Sequence, residues 1–322
     1  MSQTPSTEIS LLRDCEAKPE HPECESWLRK ALLSSNNRTV ARAARLIGDQ
    51  KRKSLADELR QAYDGFLAEE GKLDPGCLAK TALAEVLRQY EYPDSEFFLT
   101  GIRYRQYEPV YGGSSDSAAE LRAICGFALI QQSHSQAMSE LVELLTDPEK
   151  TSRAGAARAI AHGGGEASEW LLRLKISCGD PSPEVMGECF LGLLRLNPNE
   201  GIPRIAKYLN HSNKDLACEA ALALGETRIP AAFPPLQQQL NRTQDGELER
   251  ALLMAMGMLS LPESVEFLLA MVNEGNYARA TAAIQALAHS RDSASVKSRL
   301  TKLVNEPANA RLQRELKDAF GE

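Results

Sequence analysis

The sequence predicts an all-α protein, an α-solenoid of stacked antiparallel helix pairs, and three observations predict it. The segments LRAICGFAL, SRAGAARAIA, VMGECFLGLL, LACEAALALG, LERALLMAMG and RATAAIQALA carry small or apolar residues at offsets 0, 4, 7 and 8, save Ser152 and Arg279 at the start of two of them. Those offsets share one face of a 3.6-residue helix. The segments begin at Leu121, Ser152, Val185, Leu216, Leu248 and Arg279, a recurrence of 31 to 33 residues. That period fits one helical hairpin, and a hairpin of this size cannot bury its own apolar face, so neighbours must stack. Finally, a second amphipathic segment precedes each one: AMSELVELL, SEWLLRLKI, GIPRIAKYL, AAFPPLQQQL and SVEFLLAMV lie across loops such as TDPEK, CGDPSPE and NHSNKD. The Asp and Asn of these loops can cap the following helix.

Read from the N-terminus, residues 1–25 contain Pro5, Pro19 and Pro22 and are expected to form an irregular arm. Residues 26–114 form irregular helical repeats. TVARAARLIGD from Thr39 and AKTALAEVL from Ala79 read as second helices, but they stand 40 and 42 residues from the next such segment, so these units carry insertions. Residues 115–305 form the regular array. Ala128, Ala159, Gly192, Ala223, Ala255 and Ala286 at offset 7 let its helices approach closely, and Phe127, Leu191, Leu222 and Met254 at offset 6 add a second apolar stripe. Residues 306–322 read as a capping helix, with Leu312, Leu316, Ala319 and Phe320 inward and a polar outer face.

The Ala-rich second helices, clearest in LACEAALALGE and SRAGAARAIAHGG, resemble HEAT repeats, in particular the short HEAT-like repeats of the phycobilisome lyases. The resemblance covers roughly residues 115–305 and implies a right-handed solenoid. It also implies a ladder in which a loop Asp pairs with an Arg at offset 1. Asp116 with Arg122 and Asp147 with Arg153 fit that ladder, whereas Met186, Ala217, Glu249 and Ala280 depart from it.

Composition narrows the function. Net charge of −7 and only one short basic run, Lys51-Arg52-Lys53, argue against a nucleic-acid partner. Inner-face positions such as Ala123, Gly187, Cys218 and Thr281 are small or neutral, which opposes a DNA-binding groove like that of the HEAT-like alkylpurine glycosylases. No run reaches the length of a membrane span, no leader peptide is visible, and a cytoplasmic location is the default expectation. No cofactor or metal is expected. Cys15, His21 and Cys24 form Cys-x5-His-x2-Cys, which lacks a nearby fourth ligand for a structural zinc. Cys125, Cys189 and Cys218 sit among apolar residues and read as reduced core thiols. His162-Gly163-Gly164-Gly165 matches an esterase oxyanion motif, but no G-x-S-x-G elbow accompanies it, and glycines fit a helix C-terminus. No His-Glu dipeptide is present for a HEAT-like di-iron hydroxylase. Met254, Met256 and Met258 alternate around a helix and read mostly as core.

One segment stands apart. Aromatics are 6% of the chain, yet Tyr90, Tyr92, Phe97, Phe98, Tyr104, Tyr107 and Tyr111 fall between positions 90 and 111. EFFLTGIRYRQY reads as the first helix of a pair and EPVYGGSSDSAA as a loop, with Ser115 or Asp116 starting the next helix. The rings could seal a junction between irregular and regular repeats. Alternatively, Arg103, Tyr104, Arg105, Tyr107, Glu108 and Tyr111 form a binding site at the insertion 101–116, with Tyr104, Tyr107 and Tyr111 partly exposed beside Arg105. The sequence therefore leads to a non-enzymatic scaffold that binds a protein through its concave face or this insertion. The resemblance to the lyases implies an alternative, a bilin-lyase-like or chaperone-like protein acting on a pigment-bearing subunit.

Overall fold

The structure, a computed structural model, describes residues 5–68, 72–274, 276–290, 293–304 and 310–321. The described residues form nineteen α-helices and one small β-hairpin, divided into two compact units that meet between Gly163 and Gly164. Each unit is a stack of antiparallel helix pairs, an all-α solenoid arrangement.

In the N-terminal unit a lone helix α1 (Pro5–Ala17) precedes four pairs: α2 (Cys24–Leu32) with α3 (Asn37–Asp49), α4 (Ala56–Ala68) with α5 (Leu78–Gln89), α6 (Ser95–Arg103) with α7 (Ala119–Gln131), and α8 (Ala137–Leu144) with α9 (Lys150–Gly163). The second helices form a row in which α3 packs on α5, α5 on α7 and α7 on α9. Asn36 caps α3 through the amides of Arg38 and Thr39, and Asp94 caps α6 through that of Phe97.

The expected irregular arm is a helix over residues 5–17, whose Leu12 and Cys15 are fully buried. Pro5 opens α1, where its missing N–H costs nothing, and Pro19 and Pro22 fall after its end. The prolines thus bound a helix rather than forbid one. Cys15 and Cys24 form a disulfide between α1 and α2, with Cα atoms 5.2 Å apart, and His21 stacks on Trp27 at 4.7 Å. The thiols that a zinc site would need are therefore joined to each other.

In the C-terminal unit the pairs are α10 (Gly165–Cys178) with α11 (Pro183–Leu196), α12 (Pro198–Ile205) with α13 (Lys214–Glu226), α14 (Phe233–Leu240) with α15 (Gly246–Leu259), α16 (Pro262–Glu274) with α17 (Tyr277–Ala288), and α18 (Ser293–Val304) with α19 (Ala310–Phe320). Asn213, Asp245 and Asn276 cap α13, α15 and α17. The row α11, α13, α15 and α17 packs tightly because small residues meet. A Cβ at Gly225 would overlap Ala255, and one at Gly257 would overlap the carbonyl of Ala286. Leu193, Leu224, Leu252, Met256 and Leu287 are wholly buried at the repeat positions. Leu312 and Leu316 of α19, which packs on α17, are also buried, while residues 305–309 lie outside the described residues. Of the three clustered methionines only Met256 is core; Met254 is exposed on the opposite face.

Candidate interaction site at the hairpin

The segment read as a loop is an antiparallel hairpin, β1 (Tyr107–Val110) with β2 (Gly113–Asp116), in the register Tyr107 to Asp116 and Val110 to Gly113. A two-residue turn joins the strands, and Gly112 takes the positive φ of 86° that this turn requires. A two-stranded ribbon is marginal alone. Side chains from three repeat loops hold it.

Asp116 is the first anchor. Its Oδ1 accepts from the amides of Gln106 and Ala118, both at 3.0 Å, and its Oδ2 accepts from Arg122 Nη1 at 2.7 Å. Asp116 thus sits ahead of α7, which starts at Ala119, rather than within it. Arg122 is fully buried and reaches a second loop: Nε and Nη2 donate to the two oxygens of Asp147 at 3.1 and 3.0 Å. Its Nη1 also donates to the carbonyl of Tyr104 at 3.1 Å. Asp147 was expected to pair with Arg153. Instead its carboxylate takes Arg122 of the preceding repeat, and Arg153 Nη1 donates to the main-chain carbonyls of Asp147 and Pro148. Burial alone would raise both aspartates. The Gln106 and Ala118 amides with Arg122 hold Asp116 below the ordinary range, and Arg122, the Glu149 amide and Arg105 do so for Asp147.

Asp74 extends the same device one repeat earlier. It accepts from the amides of Ala79 and Lys80 at the start of α5, and Lys80 Nζ stands 3.1 Å from its Oδ2 as an ion pair without hydrogen-bond alignment. Both residues are fully buried, and the ammonium lies 5.4 Å from the centre of the Tyr104 ring. Gln106 Nε2 donates to the Asp74 carbonyl and to Glu108, and Glu108 Oε1 also accepts from the Gly76 amide and Ser117 hydroxyl, each at 2.7 Å. Burial opposes ionisation of Glu108, but these donors lower its pKa.

The six residues singled out in the sequence therefore divide. Arg103 pairs with Glu140 on α8. Tyr104 is half-buried and so partly exposed, its hydroxyl donating to Gln106, with burial raising its pKa to about 12. Arg105 donates to Asp147 at 2.6 Å and pairs more distantly with Asp116. Glu108 is committed to the hairpin base. Only Tyr107, 67% exposed, and Tyr111, fully exposed at the turn, project outward, together with Val110 at 50%. Val110, Gln106 and Lys80 were not singled out. Lys80 could have been, since it follows Asp74 at the spacing of Arg122 after Asp116.

Gly76 and Ser117, which bond Glu108, also lie on the rim of a groove of about 520 Å³ along α3, α5, α7 and α9. Its walls carry Arg45, Glu85, Arg88, Phe127 and Arg158 over a floor that includes Ala82 and Ala123. Arg88 chelates Glu85 and lies 5.1 Å from the Phe127 ring centre, and His162 packs against the same ring. The inner face is thus more charged here than the small residues at offset 2 implied. Gly164 and Gly165 follow α9 at positive φ, as glycines beyond a helix end do. Among the described residues no helix is long and apolar enough to cross a membrane.

Residues 170–257 match the family model of HEAT repeats. The resemblance read from the Ala-rich second helices holds over that stretch. No curated protein matches the chain. Solved structures with a similar fold include the complex of CpcE and CpcF of phycocyanin lyase from Nostoc, at 18% identity, with 75% of this chain and 94% of that one covered and a TM-score of 0.40. Human deoxyhypusine hydroxylase in complex with glycerol is similar at 18% identity, 80% and 91% coverage and a TM-score of 0.32. The Escherichia coli protein YibA is similar at 17% identity, 90% and 100% coverage and a TM-score of 0.45.

Proposed function

We propose that this repeat protein is a non-enzymatic scaffold that binds another protein through the hairpin of its N-terminal unit. One observation carries the reading: Tyr107, Val110 and Tyr111 are uncovered at the end of a ribbon whose base is fixed by buried Asp116, Arg122 and Asp147. Exposed tyrosines on a preorganised support lose little conformational entropy when a partner covers them, and such rings are enriched where interfaces concentrate their energy. The groove beside the hairpin base, with Arg45, Glu85 and Arg158 on its walls, supplies mixed charge suited to a polar stretch of the same partner. A repeat stack offers this kind of extended surface.

The double variant Tyr107→Ala/Tyr111→Ala tests it. Affinity capture from the native cell with wild-type bait should retain a set of proteins that the double variant loses, while circular dichroism and melting temperature stay unchanged. Retention of the same proteins at the same level would remove the hairpin from the proposal.

A further inference from the structure

The first pair of a repeat stack has a neighbouring repeat on one side only, so its other side needs a cap. Here α1, a lone helix, packs on that first pair, α2 and α3. Its hold is slight. Among its described side chains Leu12 and Cys15 alone are buried, Leu11 is half-buried and Ile9 is 39% exposed, whereas α3 buries seven residues. Its polar contacts gather at the last turn and just beyond: Arg42 of α3 pairs with Glu16, Gln50 Nε2 donates to the Cys15 carbonyl at 3.1 Å, and Arg52 donates to the Pro19 carbonyl. A helix of 13 residues is marginal by itself in water. The covalent bond from Cys15 to Cys24 of α2 is thus its principal fastening.

This bond also stands apart chemically. The other five cysteines are free thiols. Burial pushes Cys77 and Cys189 up to about 12 and raises Cys125 and Cys218 as well, and a thiol that does not ionise is a poor partner in exchange. Cys178 is exposed, but on α10 of the other unit. Thiol exchange in the N-terminal unit is therefore confined to Cys15 and Cys24.

We propose that the Cys15–Cys24 bond is a redox latch: oxidised, it holds α1 over the end of the stack, and reduced by a dithiol it lets α1 leave and bares the side of α2 and α3 that α1 covers. One thiolate of the dithiol attacks a cysteine sulfur as the terminal helix frays, the Cys15–Cys24 bond breaks and a mixed disulfide forms. The second thiol of the reductant then displaces the remaining cysteine. Two electrons pass to the protein, Cys15 and Cys24 each take a proton, and the reductant leaves as a disulfide. Release stops at the first pair, because α3 packs on α5 and Arg29 of α2 pairs with Glu58 of α4.

The test is amide hydrogen exchange of the full chain, read by mass spectrometry after equilibration with oxidised glutathione or with dithiothreitol. Peptide mapping of the oxidised chain should find Cys15 bonded to Cys24. On reduction α1 should exchange at least about tenfold faster while α3, α5 and α7 keep their rates, and return to oxidised glutathione should restore the slow exchange. Cys15→Ser should show fast exchange of α1 with no reductant present, and Cys178→Ser should leave both states as they are. Equal exchange of α1 in the two states, or slow exchange in Cys15→Ser, would overturn the proposal. So would α2 and α3 opening together with α1, since the bond would then support the whole unit, or a map in which Cys15 and Cys24 stay apart after oxidation.

Discussion

At offset 1 of the repeat segments the N-terminal unit carries Val40, Lys80, Arg122 and Arg153, where the C-terminal unit carries Met186, Ala217, Glu249 and Ala280. In the first unit Asp74, Asp116 and Asp147 in the preceding loops meet these cations, and Arg122 ties two loops together. In the second unit the loop residue Asp180 pairs with Lys175 of its own hairpin, Asn213, Asp245 and Asn276 cap their own helices, and Gly225 and Gly257 admit a neighbouring backbone. Close glycine contacts occur in both units, Gly155 against Ala123 in the first as well as Gly225 and Gly257 in the second, so the buried charge of the first unit adds to close packing rather than replacing it. That buried charge lies where the spacing is uneven and a ribbon is inserted, the Arg122 side chain reaching from one loop to the next.

The largest effect that would break this contrast is at Arg122. Arg122→Ala leaves Asp116 and Asp147 buried without their cation and should cost about 3–5 kcal/mol. Met186→Ala, at the matching position of the other unit, loses apolar volume only. Urea unfolding read through Trp27 in a Trp170→Phe background reports the first change, and Trp170 in a Trp27→Phe background reports the second. A loss at Arg122 below about half a kcal/mol would mean that the ladder does not bear on stability.

A smaller effect sharpens the packing side. Gly257→Ala must push Ala286 aside and should cost about 1–3 kcal/mol. Gly65→Ala, which meets nothing within 4 Å on α4, should stabilise by roughly 0.5–1 kcal/mol through helix propensity. Thermal melts of the two variants should therefore shift in opposite directions.

The smallest effect is the sign of pH dependence. Asp116, Asp147 and Glu108 have lowered folded pKa values, so their stabilisation is complete above the ordinary values of 3.8 and 4.5 and is lost as pH falls through the folded ones. Glu219 is raised, so the folded chain takes up its proton first, and its unit gains stability as pH falls toward 4.5. Mild acid should strengthen the Trp170-reported transition before stronger acid weakens the Trp27-reported one. Parallel loss in both from neutral pH downward would contradict this.

Much of the stack was legible because burial in it repeats locally. Offsets 0, 4, 7 and 8 lie within one helix, and residues such as Leu193 and Leu224 are buried wherever the pattern puts them. The hairpin was not legible. Its strands, YEPV and GSSD, contain a proline and polar residues with no apolar alternation, and the ribbon is held by bonds to Asp74 and Gly76 of another loop and to Ser117 just past β2. Likewise Asp116 with Arg122 could be read from spacing, but the bond from Arg122 to Asp147 crosses repeats and leaves no local signature. The candidate site was half visible for the same reason. Tyr107 and Tyr111 are outward, while Tyr104, Arg105 and Glu108, from the same run, bond to groups that hold the ribbon.

The buried Arg122 has one more consequence. In a repeat stack each pair is ordinarily coupled only to its neighbours through surface packing, so the array can fray from an end one pair at a time. A single guanidinium bonded to the loops before α7 and α9 links those steps, since opening either pair strands a charge in the other. Fraying that enters from either end should stall at this clasp. Amide hydrogen exchange should then find the second helices on both sides of it opening together, as one block in an otherwise sequential zipper.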